Sequence, residues 1–152
     1  MFRGDPLVDF RLPLIVQCDT KETEDAIRAL GFGEGKASWP DQLKSKFLIS
    51  VDGNGATCSR VVIALKSNSV LLKYRSVNLL YYFSGLNEYF HYIPVNDAID
   101  IRQIVKAERR SPGLCKSISE HGSDFYLKYL TAEASKRYAA TLLEQYARIF
   151  YD

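Results

Sequence analysis

A strand that runs into a glycine turn, a helix directly after that turn, and a second apolar strand directly after the helix predict an α/β domain built on a parallel sheet. The segments are Lys46-Phe47-Leu48-Ile49-Ser50-Val51 before Asp52-Gly53-Asn54-Gly55, then Ala56 to Leu65, then Ser69-Val70-Leu71-Leu72-Lys73-Tyr74. Strands joined through a helix pair in parallel by a crossover that is almost always right-handed, so helices are expected on the sheet's faces.

The elements can be justified in chain order. Leu12 to Val16 is a short apolar run that fits a strand or a buried helix, and Glu22 to Leu30 reads as a helix. Gly31-Phe32-Gly33-Glu34-Gly35 is the one turn-rich stretch before the first strand. In the helix after the glycine turn, Val61, Val62, Ala64 and Leu65 fall where they can be buried, until Ser67-Asn68 interrupts it. Ser69 to Tyr74 is rich enough in branched residues for a strand covered on both faces. Downstream, Asp97 or Asp100 caps a helix carrying Ile101, Ile104 and Val105 inward. Ser111-Pro112 reads as a cap followed by proline in the first turn, with Leu114, Ile118, Phe125 and Tyr129 at helical spacing. Thr131 opens a last helix with Tyr138, Leu142, Tyr146, Ile149 and Phe150 on one stripe. All three read as packing helices.

Composition narrows the function. The chain has 152 residues, 47% hydrophobic and 25% charged, which is one domain's worth of ordinary globular protein rather than a disordered tail or a disulfide scaffold. A net charge of +2 gives no bulk attraction for nucleic acid or an anionic membrane, so any bound anion must be held locally. Cys18, Cys58 and Cys115 are odd in number and far apart, with only two histidines in the chain, which argues against structural zinc and for a reducing compartment. Met1-Phe2-Arg3-Gly4-Asp5-Pro6 is not a signal peptide, and runs such as Val61 to Leu65 fall far short of the ~20 apolar residues a spanning helix needs. A cytoplasmic chain, or one peripheral at the inner membrane face, is expected.

The best candidate for chemistry is Asp52 to Arg60. At the carboxyl end of a parallel strand, glycines let a ligand approach the backbone, and the next helix offers N–H groups and a partial positive charge. Ser59 adds a hydroxyl, and Arg60 a planar guanidinium able to pair with two phosphate oxygens. The stretch is neither a P-loop nor a dinucleotide fingerprint, and a tight turn with a solvated arginine is an equal reading. The aromatic run Tyr81 to Tyr92 is first a packing element, with sugar or base stacking as the alternative. His91 reads as a hydrogen-bonded structural histidine, His121 as a helix-surface one, and Cys58 as a small apolar residue near a helix start.

Four blocks together resemble glycosyltransferase family 90: Lys46 to Gly53, Ser59-Arg60, Ser69-Val70-Leu71-Leu72-Lys73, and His91-Tyr92-Ile93-Pro94-Val95. Their order and spacing agree with a group that includes Rumi-type protein O-glucosyltransferases, fungal capsule-associated transferases and bacterial lipopolysaccharide core transferases. Asp52 to Arg60 is most similar to the bacterial form of the loop. Phe2-Arg3-Gly4 resembles the block that begins the family's donor half, Arg11 with Pro13-Leu14-Ile15 resembles the arginine-centred segment after it, and Asp41, Lys44, Lys46 and Phe47 fit the approach to the central strand. Tyr89 stands where the family has tryptophan before His-Tyr-Ile-Pro.

The resemblance implies a Rossmann-like parallel sheet with flanking helices, the C-terminal, donor-binding domain of a GT-B glycosyltransferase, spanning residues 1–152 as a single nucleotide-sugar-binding domain. The donor, a UDP-sugar, would be held by Arg11, Gly53, Gly55, Ser59, Arg60 and, more weakly, Lys73. Arg11 and Arg60 would clamp the diphosphate without metal in an inverting transfer to a bacterial surface glycan such as lipopolysaccharide core. The general base belongs to an acceptor domain that is absent from this chain, and a separate partner chain, an interrupted reading frame or a cloned fragment are alternative explanations. The competing expectation is a non-catalytic module that binds a nucleotide sugar without transferring it. Neither cofactor nor nucleic acid is implied.

Overall fold

The computed structural model describes residues 5–12, 14–16, 18–32, 35–53 and 59–151. The chain divides into two compact units, residues 1–44 and 45–152.

The first unit holds two short helices, α1 (Lys21–Ala29) and α2 (Trp39–Gln42). Each starts on a hydroxyl: Thr20 Oγ1 accepts the Thr23 N–H, and Ser38 Oγ accepts the Asp41 N–H. These caps satisfy donors that a helix cannot pair internally. Glu24 reaches Arg28 one turn on, at 2.6 Å. The apolar run at Leu12 and 14–16 forms neither strand nor helix.

The second unit is a mixed α/β structure on a three-stranded parallel sheet in the order β1 (Phe47–Ser50), β2 (Val70–Tyr74), β3 (Ile93–Val95). β1 and β2 are joined through α3 (Arg60–Lys66), as the strand, turn, helix, strand pattern predicts. In register, Ser50 pairs with Lys73, and Lys73 with Pro94. β2, not β1, is therefore the middle of the described strands. Val70 to Lys73 are all buried, and because successive side chains point to opposite faces, both faces must be covered. α3, α5 (Lys116–Phe125) and α4 (Ala98–Arg110) pack against the sheet. β1 buries only alternate residues, Leu48 and Ser50, as an edge strand with one covered face does. β3 went unread at the level of pattern, since three residues with a central proline give no periodicity; Pro94 is tolerated on the edge strand.

The core joins Leu48, Leu71, Val61, Ala64 and Leu65 to Tyr82, Phe125 and Leu130. Full burial of a leucine or valine contributes roughly 1.5–3 kcal/mol each. Helix α5 comes close to α3 at Gly122, where an added Cβ would stand 3.1 Å from Leu65 Cδ2 and 3.1 Å from the His91 carbonyl oxygen. A side chain there would push these neighbours back by a few tenths of an ångström.

Both aspartates proposed as caps of α4 act. Asp97 Oδ1 accepts the Ile99 and Asp100 N–H groups, while Asp100 reaches back to the Asn96 N–H at 2.8 Å. Ser111, expected to open the next helix, instead terminates α4. The chain reverses at Gly113 (φ 95°), and α5 begins only at Lys116. Glu108 causes this: its buried carboxylate accepts the Gly113 N–H at 2.6 Å and the Cys115 N–H at 2.9 Å and pairs with Lys46, ahead of β1. These bonds hold the Glu108 carboxyl down at about 2, Lys46 contributing most. Burial, with Glu108 beside it, pushes the Cys115 thiol up to about 11. Leu114, expected inside, is 60% exposed.

Helix α5 continues through a π-helical turn (Tyr126–Leu130) into α6 (Ala132–Tyr151), with Thr131 Oγ1 accepting the Ala134 N–H as the sequence suggests. The α6 stripe of Tyr138, Leu142, Tyr146, Ile149 and Phe150 forms as a stripe, but it is exposed rather than packed.

Candidate donor-loop site

The site is built where β1 ends. Burying Ser50 leaves Val51 half exposed, and the chain then reaches Asp52 and Gly53. Asp52 is the organiser. Its carboxylate accepts the Ser76 hydroxyl and the Asn78 side-chain amide (3.4 Å), and lies 3.7 Å from the Lys73 ammonium. One carboxylate thus ties the end of β1 to the segment after β2. An ionised carboxylate has acceptor sites for all three.

Lys73 emerges from the middle strand and is only 7% exposed. Its ammonium meets Asp52, donates to the Tyr74 carbonyl at 3.2 Å, and sits 5.0 Å from the centroid of the Phe83 ring. A buried charge needs this kind of pairing. The cation that the resemblance offers as a weak donor contact is thus engaged by its own loop.

Among the described residues, a Cβ built on Gly53 would meet no atom within 4 Å, and its φ lies outside the left-handed region. Neither crowding by those residues nor backbone conformation demands glycine there. Gly55, together with Asn54, Ala56, Thr57 and Cys58, lies outside the described residues. Ser59 is the exposed N-cap of α3: its carbonyl accepts the Ile63 N–H at 2.9 Å, while its hydroxyl makes no capping bond. Arg60 is the first residue of α3 and is half-buried. Gly53, Ser59 and Arg60 therefore bracket one loop, with Lys73 behind it on Asp52.

Arg11 belongs to the first unit. It is exposed, and its guanidinium grips Asp9 through Nε at 2.8 Å and Nη2 at 2.7 Å. That pairing lowers the Asp9 carboxyl below the usual range and raises Arg11. Sequence reasoning missed Asp9, although a carboxylate two residues from an arginine is a readable signal. It also missed Ser76 and Asn78, which have no motif and reach Asp52 only because β2 lies beside β1.

The aromatic run divides. Tyr82 is buried in the core, whereas Tyr81 and Phe90 are half exposed. His91 is hydrogen-bonded as expected: its Nδ1 accepts the Asn87 N–H at 2.9 Å. Burial, with His121 nearby, lowers its pKa. His121, expected on a helix surface, stacks on Phe90 with centroids 3.8 Å apart. Tyr89 has φ 60° and is 66% exposed.

A parallel sheet whose edge strand runs into a glycine-bearing segment followed by a helix is a ligand-binding plan of the α/β class. The family model of glycosyl transferase family 90 matches residues 1–151, and the chain belongs to that family. Its class of activity is glycosyl transfer, with a sugar donor and an acceptor as substrates. Among the described residues no helix is long and apolar enough to cross a membrane.

Proposed function

We propose that this chain is the donor-binding part of a GT-B glycosyltransferase, a Rossmann-like domain that holds a UDP-sugar for inverting, metal-independent transfer to a bacterial surface glycan such as lipopolysaccharide core. The observation that carries the reading is Gly53 at the end of β1, where an added Cβ would meet none of the described residues within 4 Å, followed by Arg60 and by an exposed Ser59 hydroxyl that makes no capping bond. A diphosphate placed over Gly53 takes backbone contact there, a hydroxyl from Ser59 and a guanidinium from Arg60. Arg11 is kept as the second guanidinium by the family resemblance alone. Lys73, held on Asp52, keeps the loop end in place and contributes positive potential.

In the transfer, an acceptor hydroxyl loses its proton to a base on the acceptor domain as the sugar's anomeric carbon changes partners. Charge then grows on the departing diphosphate. Fixed guanidinium groups stabilise that charge more in the transition state than in the ground state. The test is calorimetric titration with UDP. Loss of Arg60's charge-assisted bonds in Arg60→Ala should weaken binding by roughly 10–150-fold. Equal affinity for UDP would refute the clamp, and a large loss of affinity in EDTA would refute metal independence. Turnover of a UDP-sugar with the acceptor domain present separates a transferase from a binding module.

A further inference from the structure

A cleft of about 930 Å³ opens between the segment joining β2 to β3 and the turn joining α5 to α6. Among the described residues it shares no lining residue with the segment from Asp52 to Arg60, and its volume is that of small-molecule sites.

Its walls are flat and fixed. Phe90 stacks on His121 at 3.8 Å and 12°, and Tyr81 stacks on Tyr138 at 4.8 Å and 25°. Tyr81 is held further by its hydroxyl, 3.4 Å from Ser135 Oγ. Behind them Gly85 lets Phe125 come close, since a Cβ there would stand 3.1 Å from the ring. Three exposed charged side chains, Asp124, Lys128 and Arg137, also line the cleft. Lys128 rests over the Tyr129 ring at 5.0 Å. Among the described residues Asp124 and Arg137 make no hydrogen bond or ion pair.

This chemistry selects a ligand. The rings are stacked on each other, so they offer outer faces and edges rather than a slot between parallel rings. A pyranose requires only one aromatic face for its C–H side. Its hydroxyls need an acceptor such as Asp124, and two cations on the same cleft leave an excess of positive charge for an anionic substituent.

We propose that this cleft binds an anionic saccharide, a pyranose carrying a carboxylate or phosphate, with its ring on the Tyr81/Tyr138 or Phe90/His121 faces and its anion on Arg137 and Lys128. The choice of a saccharide rests on the transferase reading and names the chemical class of acceptor it would engage.

Proton–carbon NMR of the full chain offers a direct test, because only two histidines contribute imidazole signals. Glucuronic acid, glucose 6-phosphate, glucose and inorganic phosphate are titrated separately. Saturable movement of the His121 signal by either sugar acid, at least about tenfold tighter than by glucose or phosphate, is expected, and the better acid identifies the anion. Arg137→Gln should weaken that binding about tenfold, while Arg110→Gln, on α4 outside the cleft, should not change it. Tyr138→Ala should weaken it with the circular dichroism unchanged, because Tyr138 is 47% exposed. No saturable shift with either acid, equal binding of inorganic phosphate, or displacement of the saccharide by UDP would overturn the proposal. UDP affinity and its dependence on Arg60 are read in the same samples. Failure of the cleft with UDP binding intact sinks only this inference, whereas failure of UDP binding with the cleft occupied sinks only the donor reading.

Discussion

Replacing Glu108 by glutamine keeps the shape of the side chain and removes its charge. The carboxylate is buried, accepts two backbone N–H groups at 2.6 and 2.9 Å, and pairs with Lys46. Its drop from the ordinary 4.5 to about 2 corresponds to ~3 kcal/mol of preference for the ionised form in the folded chain. Lys46 is 50% exposed, so solvent screens part of this, and about 2 kcal/mol is expected at neutral pH. The sign follows from the direction. A carboxyl lowered by folding contributes fully above its unfolded value of 4.5, and the contribution is lost as pH falls toward about 2. Urea unfolding followed by far-ultraviolet circular dichroism should therefore put Glu108→Gln about 2 kcal/mol below wild type at pH 7. A thermal midpoint roughly 10 °C lower should accompany it. The gap should begin to narrow below about pH 4.5 and shrink to roughly a quarter at pH 2.5. A gap that stays constant with pH, or none at pH 7, would refute the assignment of Glu108 as the ionised staple between β1 and the turn before α5.

Three further outcomes are expected. Gly53→Ala should leave stability unchanged or raise it by up to about 1 kcal/mol, because the added methyl meets nothing and the unfolded chain loses freedom. UDP affinity should nonetheless fall at least about tenfold if the diphosphate lies on that backbone; unchanged affinity in calorimetry would place the ligand elsewhere. Asp52→Asn leaves the Lys73 cation without its carboxylate and should cost about 3 kcal/mol or more in urea unfolding, whereas a loss under 1 kcal/mol would show that the pair is not what holds Lys73. His91 should titrate by NMR below the ordinary 6.5 because burial, and secondarily His121, disfavours its cation. Its neutral form thus adds stability above that value and loses it as pH falls through the lowered midpoint, a dependence that His91→Gln should flatten.

The backbone plan was legible because two periodic signals lay side by side. Val70 to Lys73 are buried without alternation, as a strand covered on both faces must be, and Val61, Ala64 and Leu65 fall on one side of α3. Ser111 misled because serine before proline opens helices elsewhere, and the force that overrides it, the buried Glu108, acts through Lys46, far away in sequence. The α6 stripe has the spacing of a packing face, yet a stripe states only that residues share a side, not that anything covers it. At the candidate site, Gly53, Ser59 and Arg60 were readable because they fall within one short stretch of sequence. Asp52 became the organiser only when the sheet brought Ser76 and Asn78 beside it.

Tyr89 carries a left-handed backbone that a bulky side chain resists, at a cost of roughly 1–3 kcal/mol. The reversal is kept shut by the Tyr89 N–H on the Tyr92 carbonyl at 2.7 Å and the His91 N–H on the Asn87 carbonyl at 2.9 Å. Glycine carries no such penalty, so the turn from Asn87 to Tyr92 holds a strain that Tyr89→Gly would relieve.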